Sequence, residues 1–165
     1  MPSAMIFRHP QLALRAVSDA DQEFLQRLYA SVREEELRPT GWPEAQKAAF
    51  LAMQFQAQHR AYAAYSDTEY FIVQRGQQDI GRLYLQHQPE TISIVDISLM
   101  ADTCGQGIGT DLLQAVFAQA RAAHKAVQIH VEKFNPALRL YQRLGFLEVE
   151  DKGVYLLMRR PAETD

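Results

Sequence analysis

Sulfhydryl chemistry is almost missing from this sequence. One cysteine, Cys104, stands among 165 residues, so no internal disulfide staples the fold, and a reducing, cytoplasmic setting is expected. No apolar run approaches the ~18–20 residues that cross a bilayer, so no membrane association is expected. The opening MPSAMIFRHP has one arginine and a very short apolar patch, which does not read as a secretory leader. Basic residues are in the minority, with 17 Lys and Arg against 20 Asp and Glu, and a net charge of −3 argues against nucleic acid as a partner. No grouping of His, Cys and carboxylates has metal-ligand spacing, and no metal is expected. Repeats, low-complexity tracts and a long linker are absent. What remains is 47% hydrophobic and suits one domain, roughly residues 10–160.

The periodicity alternates between strand and helix. LALRAV (Leu12 to Val17) reads as a strand. Ser18, with Asp21 three places on, reads as a capping box for a helix running to about Glu34. LRPTGWP interrupts, and Pro43 opens a long helix to about Ala64. EYFIVQ, DIGRLYLQ and TISIVDISLM follow, separated by short polar turns that imply antiparallel neighbours. In the last of these, simple alternation puts Ile92, Ile94, Asp96 and Ser98 on one face. A glycine-rich stretch leads into the helix TDLLQAVFAQARAAH, and AVQIHVE reads as the next strand. PALRLYQRL reads as a short helix stopped by Gly145, and FLEVE and VYLLMRR as a closing hairpin. The order is β-α-α-β-β-β-α-β-α-β-β, an α/β chain with a mixed, largely antiparallel sheet flanked by helices. The apolar closing strand GVYLLM offers a sheet edge for a homodimer.

Three of the eight glycines fall inside the six residues CGQGIG, Cys104 to Gly109, where a strand hands over to a helix. A helix N-terminus leaves four backbone N–H groups without partners, and glycines let anion oxygens approach them. The stretch therefore reads as a diphosphate seat or, in its simpler reading, a tight turn. It is neither of two common nucleotide motifs. Counting from Gly105, the last glycine of G-x-G-x-x-G falls on Thr110, and no lysine follows Gly109 as a P-loop requires.

A second motif narrows the choice. NPALRLYQRLGF places Asn135 after a strand and before a helix, Tyr141 six residues on, and Gly145-Phe146 at the helix end. Together, LMADTCGQGIGTDLL and NPALRLYQRLGF resemble the two signatures of the GCN5-related N-acetyltransferase (GNAT) superfamily, and the element order agrees over nearly the whole chain. The resemblance implies the acyl-CoA N-acyltransferase fold and acetyl-CoA as donor. It implies that Cys104, Gly105, Gln106, Gly107, Ile108, Gly109 and Thr110 seat the pyrophosphate. The strand ending at Leu99 should splay from Ala126–Val131, with pantetheine lying in the gap against backbone near Leu99 and Met100. Asn135 caps its helix or holds the pantetheine amides. One position departs from the pattern: the first place of the glycine signature is usually Gln or Arg, and here it is Cys104, a weak donor.

The implied reaction is N-acetyl transfer to a primary amine of a small molecule or peptide. Acyl transfer needs an acid for the leaving thiolate, donors for the carbonyl oxygen and a base for the amine. Tyr141 is the candidate acid, unless it is a packing aromatic; backbone N–H groups near Leu99 or Met100 are the candidate oxyanion donors. Asp96, a carboxylate within an apolar strand, is the candidate base, acting through water. Glu34, Glu35 and Trp42 are candidate acceptor-binding residues, the glutamates alternatively forming a solvated acidic run and Trp42 simply packing its helix. His130 reads as a core-edge histidine. Arg139, Arg143 and Lys133 are candidates for a cofactor phosphate or plain solvated charges. The alternative function is a non-catalytic acyl-CoA binder or sensor with the same fold.

Overall fold

A computed structural model describes residues 5–163. In chain order the elements are β1 (Leu12–Ala16), α1 (Gln22–Leu37), α2 (Glu44–Ala63), β2 (Thr68–Arg75), β3 (Gln78–His87), β4 (Thr91–Leu99), α3 (Ile108–Ala122), β5 (Ala126–Glu132), α4 (Leu138–Arg143), β6 (Leu147–Asp151) and β7 (Tyr155–Arg160). The seven strands form one sheet in the order β1-β2-β3-β4-β5-β7-β6. Only β4 and β5 are parallel, joined by the crossover through α3. The mixed, largely antiparallel sheet expected from the sequence is thus the observed one.

Two apolar cores lie on opposite faces of the sheet. On one face, α3 buries Ile108, Leu112, Leu113 and Val116 against Leu83, Leu85 and Ile94, and α4 contributes Tyr141. On the other, α1 and α2 pack through Leu25, Leu28 and Phe55 over Ile72. Each fully buried aliphatic or aromatic side chain contributes about 1.5–3 kcal/mol by leaving water. Helix α1 runs past its expected end at Glu34 to Leu37, because Leu37 is itself buried and draws the last turn onto the core. Its start is fixed by Asp21, whose carboxylate accepts the Ser18 N–H at 2.8 Å and two hydrogen bonds from Arg15 at 2.9 and 2.7 Å.

The structure corrects two expectations. First, Asp96 and Ser98 do not share a face with Ile92 and Ile94. Tyr84 pairs with Asp96 but Leu85 with Ile94, so Val95 is an extra residue, a β-bulge. Alternation restarts after it. Ile97 and Leu99 continue the α3-side face of Ile94, while Asp96 and Ser98 turn to the α1–α2 side. Second, GVYLLM is not a free edge. β7 lies between β5 and β6, because it carries the alternation that buries Leu156 and Met158. All five residues of β6 are exposed, and β6 takes the edge instead, with a bulge at Val149 and acidic residues that discourage pairing with another strand.

Candidate active site

At the end of β4 the chain makes a 3-10 turn, Ala101–Thr103, in which the Thr103 hydroxyl donates to the Met100 carbonyl at 2.7 Å. Gly105 and Gly107 follow at φ +78° and +79°, left-handed conformations that residues with a Cβ rarely adopt. Space above both is open, with nothing within 4 Å of where a Cβ would stand. Gly107 caps α3, and Ile108 anchors its first turn in the core. Among the described residues, none of the amides from Gly105 to Thr110 meets an acceptor. Asp111 leaves them free. Its buried carboxylate turns away and accepts the Arg8 and His9 N–H groups at 2.8 Å each, strapping the N-terminal segment to α3. Cys104 is exposed, its Sγ 3.7 Å from the Met100 carbonyl oxygen. Unpartnered amides, the positive end of the α3 dipole and two bare glycines make a seat whose chemistry suits a diphosphate.

Beside this seat the sheet opens. β4 and β5 stay paired only from Thr91 and Ala126 to Ile94 and Ile129, then part immediately before the bulge. The Met100 N–H is taken by the Ile80 carbonyl at 2.7 Å. Alternation along the antiparallel β3–β4 ladder then aims the backbone groups of Leu99 and Ile97 into the opening. The gap is a cleft of about 660 Å³. Tyr141 enters it from the α4 side. Its ring is buried and meets Phe146 edge-on, with centroids 5.7 Å apart, while no partner among the described residues binds its hydroxyl. Burial, and secondarily the charge of Asp96, push its pKa up to about 12, so it keeps its proton at neutral pH.

Asp96 reaches the cleft from the opposite face. Its carboxylate accepts from Arg82 at 2.7 Å, from the Tyr62 hydroxyl at 3.1 Å and from Ser98 at 2.6 Å. Arg82 also donates to Gln58 of α2 at 2.7 Å and lies over the Tyr84 ring, 5.0 Å from its centroid. Tyr62 is held fully protonated, by burial first and then by Asp96. The roof of the cleft is α1, where Arg33 reaches Glu36 at 3.4 Å and Glu132 of β5 at 3.7 Å. His130 sits on the same strand with Lys152 3.2 Å from its Nε2; burial, then the Lys152 charge, lowers its pKa.

The other anticipated residues divide. Asn135 lines the cleft, and its Oδ1 accepts the Ala137 N–H at 2.8 Å, fastening the entry to α4. Glu34 is exposed on α1 and does not line the cleft; Val32, Arg33 and Glu36 do. The Glu35 side chain lies outside the described residues. Trp42 packs edge-on against Phe50, centroids 5.3 Å apart, and is not a cleft residue either. Arg139 and Arg143 are exposed, and Lys133 is paired with Asp151 at 2.7 Å.

The family model described as Acetyltransferase (GNAT) family matches residues 23–146, more than half of the chain. The chain belongs to the GNAT acetyltransferase family. Solved structures show the same fold. An acetyltransferase from Thermus thermophilus is 22% identical with a TM-score of 0.68, covering 94% of this chain and 99% of that one. PaiA N-acetyltransferase from Thermoplasma acidophilum, in complex with coenzyme A, is 16% identical with a TM-score of 0.67, covering 91% and 98%. A GNAT family acetyltransferase from Elizabethkingia anophelis with acetyl-CoA bound is 17% identical with a TM-score of 0.61, covering 92% and 99%. No curated protein matches the chain. No helix among the described residues of this GNAT chain is long and apolar enough to cross a membrane.

Sequence reasoning missed Arg82 and Arg33, and reached Tyr62 only as one of a tyrosine cluster with Tyr65 and Tyr70 that suits an amine with an apolar body. Arg82 carried a signal: a charged residue in GRLYLQ, between apolar neighbours, is the same oddity that drew attention to Asp96. Arg33 carried none, because only the packing of α1 over the sheet brings it to the cleft.

Proposed function

We propose that this GNAT chain is an acetyl-CoA-dependent N-acetyltransferase that moves the acetyl group directly to a primary amine of a small molecule or peptide. The observation that carries this reading is the Tyr141 hydroxyl, protonated and without a partner among the described residues, facing a cleft between the parted ends of β4 and β5, with the unpartnered amides in the loop that follows β4. Acetyl-CoA supplies the activated acyl group as a thioester. The backbone amides of Gly105 to Thr110, with the side chains of Cys104 and Gln106 nearby, hold its diphosphate. Gly105 and Gly107 fit that task, since nothing stands where an oxygen would approach. Leu99 and Ile97 present backbone groups to the pantetheine arm, and the Leu99 N–H polarises the thioester carbonyl. Met100 contributes through its position only, its own N–H being taken by Ile80.

The acceptor enters from the α1–α2 face, past Arg33 and Glu36. Its nitrogen bonds to the acyl carbon, the carbon–sulfur bond breaks, and Tyr141 protonates the departing thiolate. Two protons leave the ammonium over the reaction: one restores Tyr141, the other passes to water. Asp96, whose carboxylate three donors hold in place, acts by holding the ammonium and guiding its protons into water. The occupation of Asp96 by Arg82 also favours a second reading, a non-catalytic acyl-CoA binder. One assay separates the two: free-thiol release from acetyl-CoA across a panel of amines, polyamines, amino acids and peptides. Acceptor-dependent release supports transfer. Binding without any acceptor-dependent release supports the sensor.

A further inference from the structure

The amide seat contains no cation of its own, and its first position carries Cys104, whose thiol is a poor donor. A guanidinium arrives from another strand. Arg75 is the last residue of β2, directly before the turn at Gly76. Because β3 runs antiparallel to β4, the β2–β3 turn lies beside the C-terminal end of β4, where the glycine loop begins. Arg75 Nη1 donates to Gln106 Oε1 at 2.6 Å, and Gln106 Nε2 donates in turn to the Asp102 carbonyl at 3.1 Å. Among the described residues no carboxylate pairs with Arg75; the nearest acid on α3, Asp111, is occupied by Arg8 and His9. A guanidinium that meets no carboxylate among the described residues, fixed on the loop at the positive end of α3, is placed to meet an anion bound there. The remaining donors of its planar fork match phosphate oxygens.

Resting on the reading of the seat given above, we propose that Arg75 is a ligand-binding residue that contacts the diphosphate of coenzyme A, supplying from β2 the donor that position 104 lacks. The alternative for Arg75 is a brace that merely holds Gln106. The two differ in their response to salt, since a contact between charges is screened and a neutral hydrogen bond is not. The experiment is calorimetric titration of wild type and Arg75→Met with coenzyme A and with 3′-dephospho-coenzyme A, at low salt and at ~1 M salt, with melting temperatures to verify folding. At low salt the variant is expected to bind both ligands about tenfold more weakly, the size of one lost charge-assisted hydrogen bond. In high salt the gap is expected to shrink. A gap that salt leaves unchanged, a loss confined to coenzyme A and spared in the dephospho form, or no loss at all would each overturn the assignment. If wild type binds neither ligand, it is the reading of the seat itself that fails.

Discussion

Arg82 donates to the Asp96 carboxylate across 2.7 Å, and water reaches only 4% and 12% of the two side chains. A pair so enclosed is expensive to break from one side, because the partner left behind keeps its charge without compensation. Arg82→Met is expected to cost about 3–5 kcal/mol. The double variant Arg82→Met, Asp96→Leu should recover much of that, since apolar residues replace a buried ion pair at small cost. Urea unfolding of the four-member cycle measures the coupling. A single variant as stable as wild type would mean that the pair contributes nothing to the fold.

Tyr141 is expected to matter for turnover and not for affinity. Tyr141→Phe removes one oxygen from a ring already packed on Phe146, so the fold and the diphosphate seat stay intact. Loss of a positioned acid lowers kcat by roughly 10²-fold or more. Stopped-flow measurement of the chemical step, beside coenzyme A titration, separates the two effects. The pH profile adds a check. With its pKa pushed up to about 12, Tyr141 keeps its proton through the alkaline range of ordinary assays. Wild type should show no decline from this group between pH 7 and ~10.

Asp21 predicts the acid limit of stability. Hydrogen bonds from Arg15, and then from the Ser18 backbone, lower its pKa to about 2 against the burial that would raise it. The folded-state pKa lies below the unfolded one near ~3.9, so the stabilisation is fully present above that value and drains away as pH falls toward 2. Asp21→Asn should lose on the order of 2 kcal/mol at neutral pH. The gap between variant and wild type should close in acid. Denaturation midpoints from pH 2 to 7 test the slope; a constant gap would place the contribution of Asp21 in shape rather than charge.

Where the sequence was readable and where it was not follows from the range of the interactions. The order of elements and the glycine turn ahead of α3 depend on neighbours within one strand or turn, and local patterning reports those directly, whereas the placing of Tyr141 beside parted strands was what the family resemblance implied. Local patterning does not report the side of the sheet that Asp96 occupies. One extra residue, Val95, reverses the alternation, and a β-bulge leaves no mark in a run as uniform as TISIVDISLM. Partners across strands and helices were equally hidden: Arg82 with Asp96, Tyr62 over both, Arg75 on Gln106. The acidic run Glu34 to Glu36 pointed to the right helix, but not to which member faces the cleft, since helix phase brings Glu36 there beside Arg33 and turns Glu34 to solvent. The closing hairpin was legible as a pair, while its order in the sheet depended on which strand carried the buried face.

The glycine seat can be tested against the cost of its own geometry. Gly107 holds φ +79° with open space above it, so an added side chain faces two separate penalties. The first is backbone strain, about 1–2 kcal/mol for a residue with a Cβ in the left-handed region. The second arises only if an anion approaches the amides of Ile108, Gly109 and Thr110, because the side chain then stands in its path. Gly41 separates them, since it holds φ +66° with equally open surroundings but lies in the turn before α2. Gly41→Val and Gly107→Val should therefore lose similar stability. Only Gly107→Val should weaken coenzyme A binding, by tenfold or more on the scale of a lost phosphate contact. Melting curves and coenzyme A titrations of both variants give the comparison. Equal affinity in the two would reduce the loop to a turn and move the diphosphate elsewhere.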